Sequence, residues 1–154
     1  MNNVHFSSET DNWSTPDIVY SNLNKEFNFN TDVCAVASNA KCDHFYSPEE
    51  DGLKQEWTGV CFMNSPYGRK IGKWVRKAYL SSLSGATVVC LLPSRTDTKW
   101  WHDYVMKSDD IRFIKRRLKF GNAKHNAPFP SVVVVFRPLS NKKISCPIIY
   151  KSNI

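Results

Sequence analysis

The sequence predicts a single α/β domain with a mostly parallel central sheet flanked by helices. Three observations predict it. Apolar runs at residues 60–63, 86–92 and 131–136 are continuous rather than alternating, as in strands buried on both faces. Between the first two runs, Ile71, Trp74, Val75, Ala78 and Tyr79 recur at helical spacing. The early strand ends, at Asp32, Met63 and Leu92, each lead into polar or turn-forming residues. In open α/β sheets, ligands bind in the crevice beyond such carboxyl ends.

Taken in order, residues 1–10 are polar and read as an arm. Thr15-Pro16 is a helix-start signal, with Thr as cap, Pro in the first turn and Asp17 favouring the positive end. Ile18, Val19 and Leu23 form the buried stripe of that helix, which ends near Phe27. Residues 27–35 alternate like a strand, and residues 44–46 read as a second, short one. Residues 47–52 are a polar loop, and Trp57 is a core anchor. After the helix that Ile71 begins, Gly85 is a stop signal. Pro93 ends the next strand, and Thr96 or Asp97 is placed to cap a helix holding Trp100, Trp101, Tyr104 and Val105. Residues 111–114 alternate as a strand. The basic cluster that follows, Lys115, Arg116, Arg117 and Lys119, is either an edge strand protected by charge or a surface that meets phosphate. Residues 121–130 are a loop, and residues 139–154 a basic tail or a last strand near residues 144–150.

Composition narrows the class. A chain of 154 residues with 42% hydrophobic and 13% aromatic content can bury a core, which excludes a disordered protein. The formal net charge of +7 favours a polyanionic partner. No apolar run approaches the roughly 20 residues that span a bilayer, and residues 1–11 lack a signal-peptide pattern. A soluble, cytoplasmic protein that does not engage membranes is expected. The five cysteines, without a secretory signal, read as reduced thiols. Cys34, Cys42 and His44 fit no common zinc spacing, so no metal is expected.

The motif that carries chemistry is Asn64-Ser65-Pro66-Tyr67, between a strand and a helix. Pro66 fixes its own φ and pushes Ser65 toward extended geometry, so the chain is stiff where an amide meets an aromatic ring. An amide oxygen beside a ring face suits a flat ligand with an exocyclic amino group. No glycine-rich dinucleotide fingerprint accompanies it.

Asn64-Ser65-Pro66-Tyr67 resembles the Asp/Asn/Ser-Pro-Pro-aromatic motif of amino-methyltransferases, with Ser in place of the first Pro. Trp13-Ser14-Thr15-Pro16, Asp32-Val33-Cys34-Ala35, Asn39-Ala40-Lys41, Asp51-Gly52-Leu53, Trp57, residues 91–98 and Arg117-Leu118-Lys119-Phe120 follow in the order of the phage DNA N6-adenine methyltransferase family (Dam-like). The resemblance covers residues 11–138. It implies a Rossmann-like methyltransferase fold over that span, S-adenosyl-L-methionine as cofactor and double-stranded DNA as partner. The implied reaction is site-specific methylation of adenine N6 on a flipped base. N4-cytosine methylation and a catalytically silent DNA-binding relative are the alternatives.

The resemblance also implies roles. Asn64, Ser65, Pro66 and Tyr67 are the catalytic set. Trp13, Thr15, Pro16, Asp32, Cys34, Ala35, Asp51, Leu53 and Asn64 meet the cofactor, with Asp32 toward its methionine moiety and Asp51 and Leu53 toward its adenine. By their charge, and not by the resemblance, Lys70, Arg95, Lys115, Arg116, Arg117, Lys119 and Lys124 are the expected DNA contacts. The expected assembly is a monomer or weak dimer, and a phage origin follows from the resemblance alone.

Overall fold

A computed structural model describes residues 13–139 and the backbone of residues 148–152. The expected arm and most of the basic tail lie outside the described residues.

The helices are α1 (Asp17–Phe27), α2 (Ile71–Leu83) and α3 (Lys99–Asp103). The strands are β1 (Thr31–Asp32), β2 (Val60–Met63), β3 (Thr87–Pro93), β4 (Asp110–Ile114), β5 (Ser131–Phe136) and β6 (Ile148–Ser152). They form one sheet in the order β1-β2-β3-β5-β4-β6. β1, β2 and β3 are mutually parallel, with Asp32 beside Phe62 and Met63 beside Cys90. The ends of all three therefore open on one edge, as the sequence predicts. β5 runs antiparallel to β3 and β4, and β6 runs parallel to β4. β4 and β5 are neighbours in the sheet and are joined by the loop of residues 115–130.

The core follows from the apolar runs. Val88 to Leu92 in β3 and Val132 to Val135 in β5 are fully buried. Fully burying each such aliphatic side chain contributes about 1.5–3 kcal/mol. α2 lays Trp74, Val75 and Ala78 against the sheet. Arg112 grips Glu26 with two hydrogen bonds of 2.6 Å, which fastens α1 to β4.

Five local expectations are corrected. The strand expected over residues 27–35 is only Thr31–Asp32. Asn28 adopts a left-handed conformation (φ 55) that closes α1. Phe27 and Phe29 alternate because they pack on each other and, through Phe29, on Tyr20 and Phe62. Beyond Asp32 the chain bends, and that carboxylate accepts the backbone N–H groups of Cys34 and Lys41. The second short strand is one bridge, Asp32 to Phe45.

Thr15 does not cap α1; Pro16 stands at the cap position without a side-chain bond. The cap of α3 is Thr98, not Thr96 or Asp97, and this helix ends at Asp103 before a 3₁₀ turn at Val105–Lys107. The basic cluster is not an edge strand. Residues 115–119 lie in the loop between β4 and β5, and Arg116 is left-handed (φ 70).

Candidate active site

The ends of β1 and β2 border a cleft of about 240 Å³. Asn64, Ser65 and Pro66 form its floor with Phe62. One wall is Trp13-Ser14-Thr15, the second runs from Asp32 through Cys34 and Ala35 to Lys41, and the third holds Ser47, Asp51, Gly52 and Trp74. Segments far apart in sequence thus meet because parallel strands release their loops on the same side.

Asn64 is oriented from outside its own turn. Its Nδ2 donates to the Thr15 hydroxyl at 2.8 Å and also to the Trp13 carbonyl. With both donors engaged, Oδ1 is buried and has no partner. Leaving a buried acceptor unsatisfied costs about 1–3 kcal/mol. The cost is recovered by any ligand that presents an N–H there. Ser65 is buried beside it, and its hydroxyl also lacks a partner.

Tyr67 sits differently from expectation. Its ring is 2% exposed, and its hydroxyl donates to the Leu91 carbonyl at 3.1 Å. The rings of Phe120 and Phe129 stand edge-on to it at 6.2 and 5.5 Å. The open stacking face that the motif suggests is therefore covered in this conformation. Burial raises the phenol pKa, so the hydroxyl keeps its proton.

Asp32 is 3% exposed, and burial pushes its carboxyl up to about 6 against the opposing pull of the Lys41 and Cys34 amides. A nearly dry acid that titrates near neutrality favours a cationic ligand. Burial holds the Cys34 thiol up at about 12, so it stays protonated near neutral pH. The Lys41 ammonium is turned to Asp17 at 2.6 Å. At the far end, Asp51 accepts from the Leu53 N–H at 3.2 Å. Gly52 packs so closely that a Cβ would lie 2.1 Å from the Val33 carbonyl. Trp57 Nε1 donates to the Gly52 carbonyl at 2.8 Å and its ring stacks on Trp74.

Of the residues expected at the cofactor, Trp13, Thr15, Asp32, Cys34, Ala35, Asp51 and Asn64 border the cleft. Pro16 and Leu53 do not; Pro16 opens α1, and Leu53 packs on the core. Asn39, Lys41, Tyr46, Ser47 and Trp74 border it without having been singled out as site residues. Asn39 and Lys41 stand in one of the quoted motifs, and that was the available signal. Trp74 reads as core from its helical spacing, and it is both core and wall.

The expected DNA contacts separate into two groups. Lys70, Lys115, Arg116, Arg117, Lys119 and Lys124 are all exposed. All but Lys70 lie on the β4–β5 loop, whose inner side buries Phe120 and Ala127. That loop is tied to the cleft wall by the Gly121 N–H, which donates to the Ser14 carbonyl at 2.9 Å. Arg95 is half-buried, and its Nη1 donates to the Tyr67 carbonyl at 2.8 Å. Among the described residues no group of three or more His, Cys, Asp or Glu side chains could hold a metal, and no helix is long and apolar enough to cross a membrane.

A family model described as DNA N-6-adenine-methyltransferase (Dam) matches residues 3–153. A protein of Haemophilus phage HP1 named DNA N-6-adenine-methyltransferase is 33% identical over 140 residues, which cover 85% of this chain and 81% of that protein. A protein of the same name from Escherichia phage T1 is 30% identical over 111 residues, which cover 70% of this chain and 46% of that protein.

Proposed function

Because the chain belongs to the Dam family of DNA N-6-adenine-methyltransferases, we propose that its cleft methylates the N6 amino group of an adenine flipped out of duplex DNA, with S-adenosylmethionine as donor. The observation that carries the proposal is the buried, unpartnered Oδ1 of Asn64.

The cleft suits the cofactor. Asp32 offers a buried carboxylate to a cationic ligand, and the small Cys34 and Ala35 beside it leave room. Asp51 and the close-packed Gly52 shape the far end, where Leu53 stands behind them and Trp74 supplies an aromatic wall. Trp13 and Thr15 cover the near side, just ahead of Pro16 at the start of α1. Bound there, S-adenosylmethionine supplies a methyl group made electrophilic by its sulfonium.

The residues of the chain prepare the acceptor. The adenine amino nitrogen is a poor nucleophile because its lone pair is delocalised into the ring. Asn64 Oδ1 accepts one amino hydrogen, and a main-chain carbonyl of Ser65 or Pro66 accepts the other. Together they favour a more pyramidal nitrogen whose lone pair is free to attack. No strong base is needed, since the methylated cationic amine is acidic and releases its proton to water. An asparagine therefore suffices where relatives of this motif carry aspartate. An aligned acceptor of this kind is worth about 3 kcal/mol of barrier, by analogy with oxyanion-hole donors. Tyr67 meets the face of the base, whose insertion displaces the edges of Phe120 and Phe129.

Duplex DNA is drawn in by the charge of +7 and by the exposed basic loop that borders the site. The test is product identity. Unmethylated duplex DNA incubated with labelled cofactor should yield N6-methyladenine on digestion. N4-methylcytosine would keep the mechanism and change the base, and no label from folded protein across several DNA sequences would contradict the enzymatic reading.

A further inference from the structure

We propose that Arg95 is a positioning residue of the methyl-transfer site, acting through the carbonyl of Tyr67 and not through a DNA phosphate; this rests on the methyltransferase reading above. Charge alone places Arg95 among the phosphate contacts, but its geometry separates it from them. Its guanidinium Nη1 donates to the Tyr67 carbonyl at 2.8 Å, and the side chain is part-buried there. The basic residues of the β4–β5 loop, by contrast, are exposed.

The turn that Arg95 holds has few internal restraints. The last paired residue of β2 is Met63, opposite Cys90, and α2 begins only at Ile71. Ser65, Pro66 and Tyr67 lie between them, outside both elements, and Pro66 has no N–H to offer. Tyr67 is instead bracketed by β3 and the turn that follows it. Its hydroxyl reaches the Leu91 carbonyl at 3.1 Å, and its own carbonyl receives Arg95.

Arg95 is itself well anchored. Its N–H donates to the Pro93 carbonyl at 2.9 Å. Its carbonyl accepts the Thr98 hydroxyl at 2.7 Å and the Thr98 N–H at 3.2 Å. Thr98 caps α3, so the clamp on the catalytic turn is built from a capped helix start. A hydrogen bond from a charged donor to a carbonyl is stronger than a neutral one. It fixes the height of the turn relative to β3, and with it the direction of the neighbouring Ser65 and Pro66 carbonyls and of Asn64. Misplacement of reacting groups by about 1 Å can cost about 100-fold in rate.

The test compares Arg95→Ala and Arg95→Lys with wild type and with Arg117→Ala. Each is read for kcat, KM for DNA, cofactor Kd, the salt dependence of DNA binding and the melting temperature. The expected result for Arg95→Ala is a kcat lower by about 10- to 100-fold, with DNA affinity, salt slope and cofactor Kd at wild-type values. Arg95→Lys, which keeps the charge and one flexible donor, should recover part of kcat. Arg117→Ala should instead lose DNA affinity and lower the salt slope by about one. A drop in salt slope for Arg95→Ala with kcat retained at saturating DNA would overturn the proposal. So would full retention of kcat in a folded Arg95→Ala protein. If Arg95→Ala fails to fold, Arg95→Lys decides by the same split between kcat and salt slope. If wild type transfers no methyl group, the methyltransferase reading fails on its own; an unchanged salt slope in the Arg95 variants would still exclude the phosphate contact, and a reduced one would overturn the proposal.

Discussion

The amide nitrogen of Asn64 donates to the hydroxyl of Thr15 at 2.8 Å, across 49 residues of sequence. This bond decides which end of the amide keeps a free acceptor. With Nδ2 engaged by Thr15 and the Trp13 carbonyl, Oδ1 is left as the acceptor. Thr15→Val keeps the shape and removes the acceptor. The expected outcome is a kcat lower by about 10-fold, from one lost hydrogen bond of about 1 kcal/mol and a less well defined amide. Thr15→Ser should remain near wild type. Steady-state methylation kinetics on duplex DNA check both.

Asp32 should make cofactor binding depend on pH. Its carboxyl titrates at about 6 in the free protein, because burial opposes ionisation. A cationic ligand favours the ionised form. Cofactor affinity should therefore rise as pH increases through about 6 and level off above it. Asp32→Asn should bind more weakly and lose this rise. Calorimetric titrations between about pH 5 and 8 would show it; the same rise in Asp32→Asn would assign it to another group. The sign for stability is opposite. The folded state still holds the proton at pH values where the unfolded chain, near the ordinary 3.8, has released it. The Asp32 contribution is therefore fully present below 3.8 and is lost as pH rises through about 6.

Gly52 has no room for a side chain. A Cβ would meet the Val33 carbonyl at 2.1 Å, with the Trp74 ring just over 3 Å away. Gly52→Ala must displace the segment that carries Asp51. A destabilisation of about 1–3 kcal/mol is expected, together with loss of the thermal shift that the cofactor is expected to give wild type. Melting curves with and without S-adenosylmethionine measure both effects.

The loop between β4 and β5 should supply the electrostatic part of DNA binding. Replacing Lys115, Arg116 and Arg117 together by Ala should flatten the plot of log affinity against log salt by about three units of slope. Fluorescence anisotropy with a labelled duplex over a salt series is sufficient. An unchanged slope would place the DNA on another face.

Much of this architecture is legible in the sequence because burial on both faces leaves continuous apolar runs. The spans of β3 and β5 are evident from their Val and Leu content alone. β1 is less evident, since it is only two residues long and the Asp32 carboxylate then turns back onto the Cys34 and Lys41 amides. Asn64 is recognisable from its motif, but what orients it is not. Thr15-Pro16 carries a generic helix-start signal, and the bond to Asn64 exists only in the fold. Arg95 resembles any other cation in a basic chain until its guanidinium is seen on the Tyr67 carbonyl. The cover over Tyr67 comes from Phe120 and Phe129, which a long loop brings back over the motif.

The most direct measurement compares wild type with Asn64→Ala in single-turnover methyl transfer to unmethylated duplex DNA, with cofactor Kd measured in parallel. The expected result is N6-methyladenine formed by wild type and a rate lower by about 100-fold or more in Asn64→Ala, with cofactor binding largely retained. Transfer by Asn64→Ala at the wild-type rate would contradict the role assigned to the buried amide oxygen.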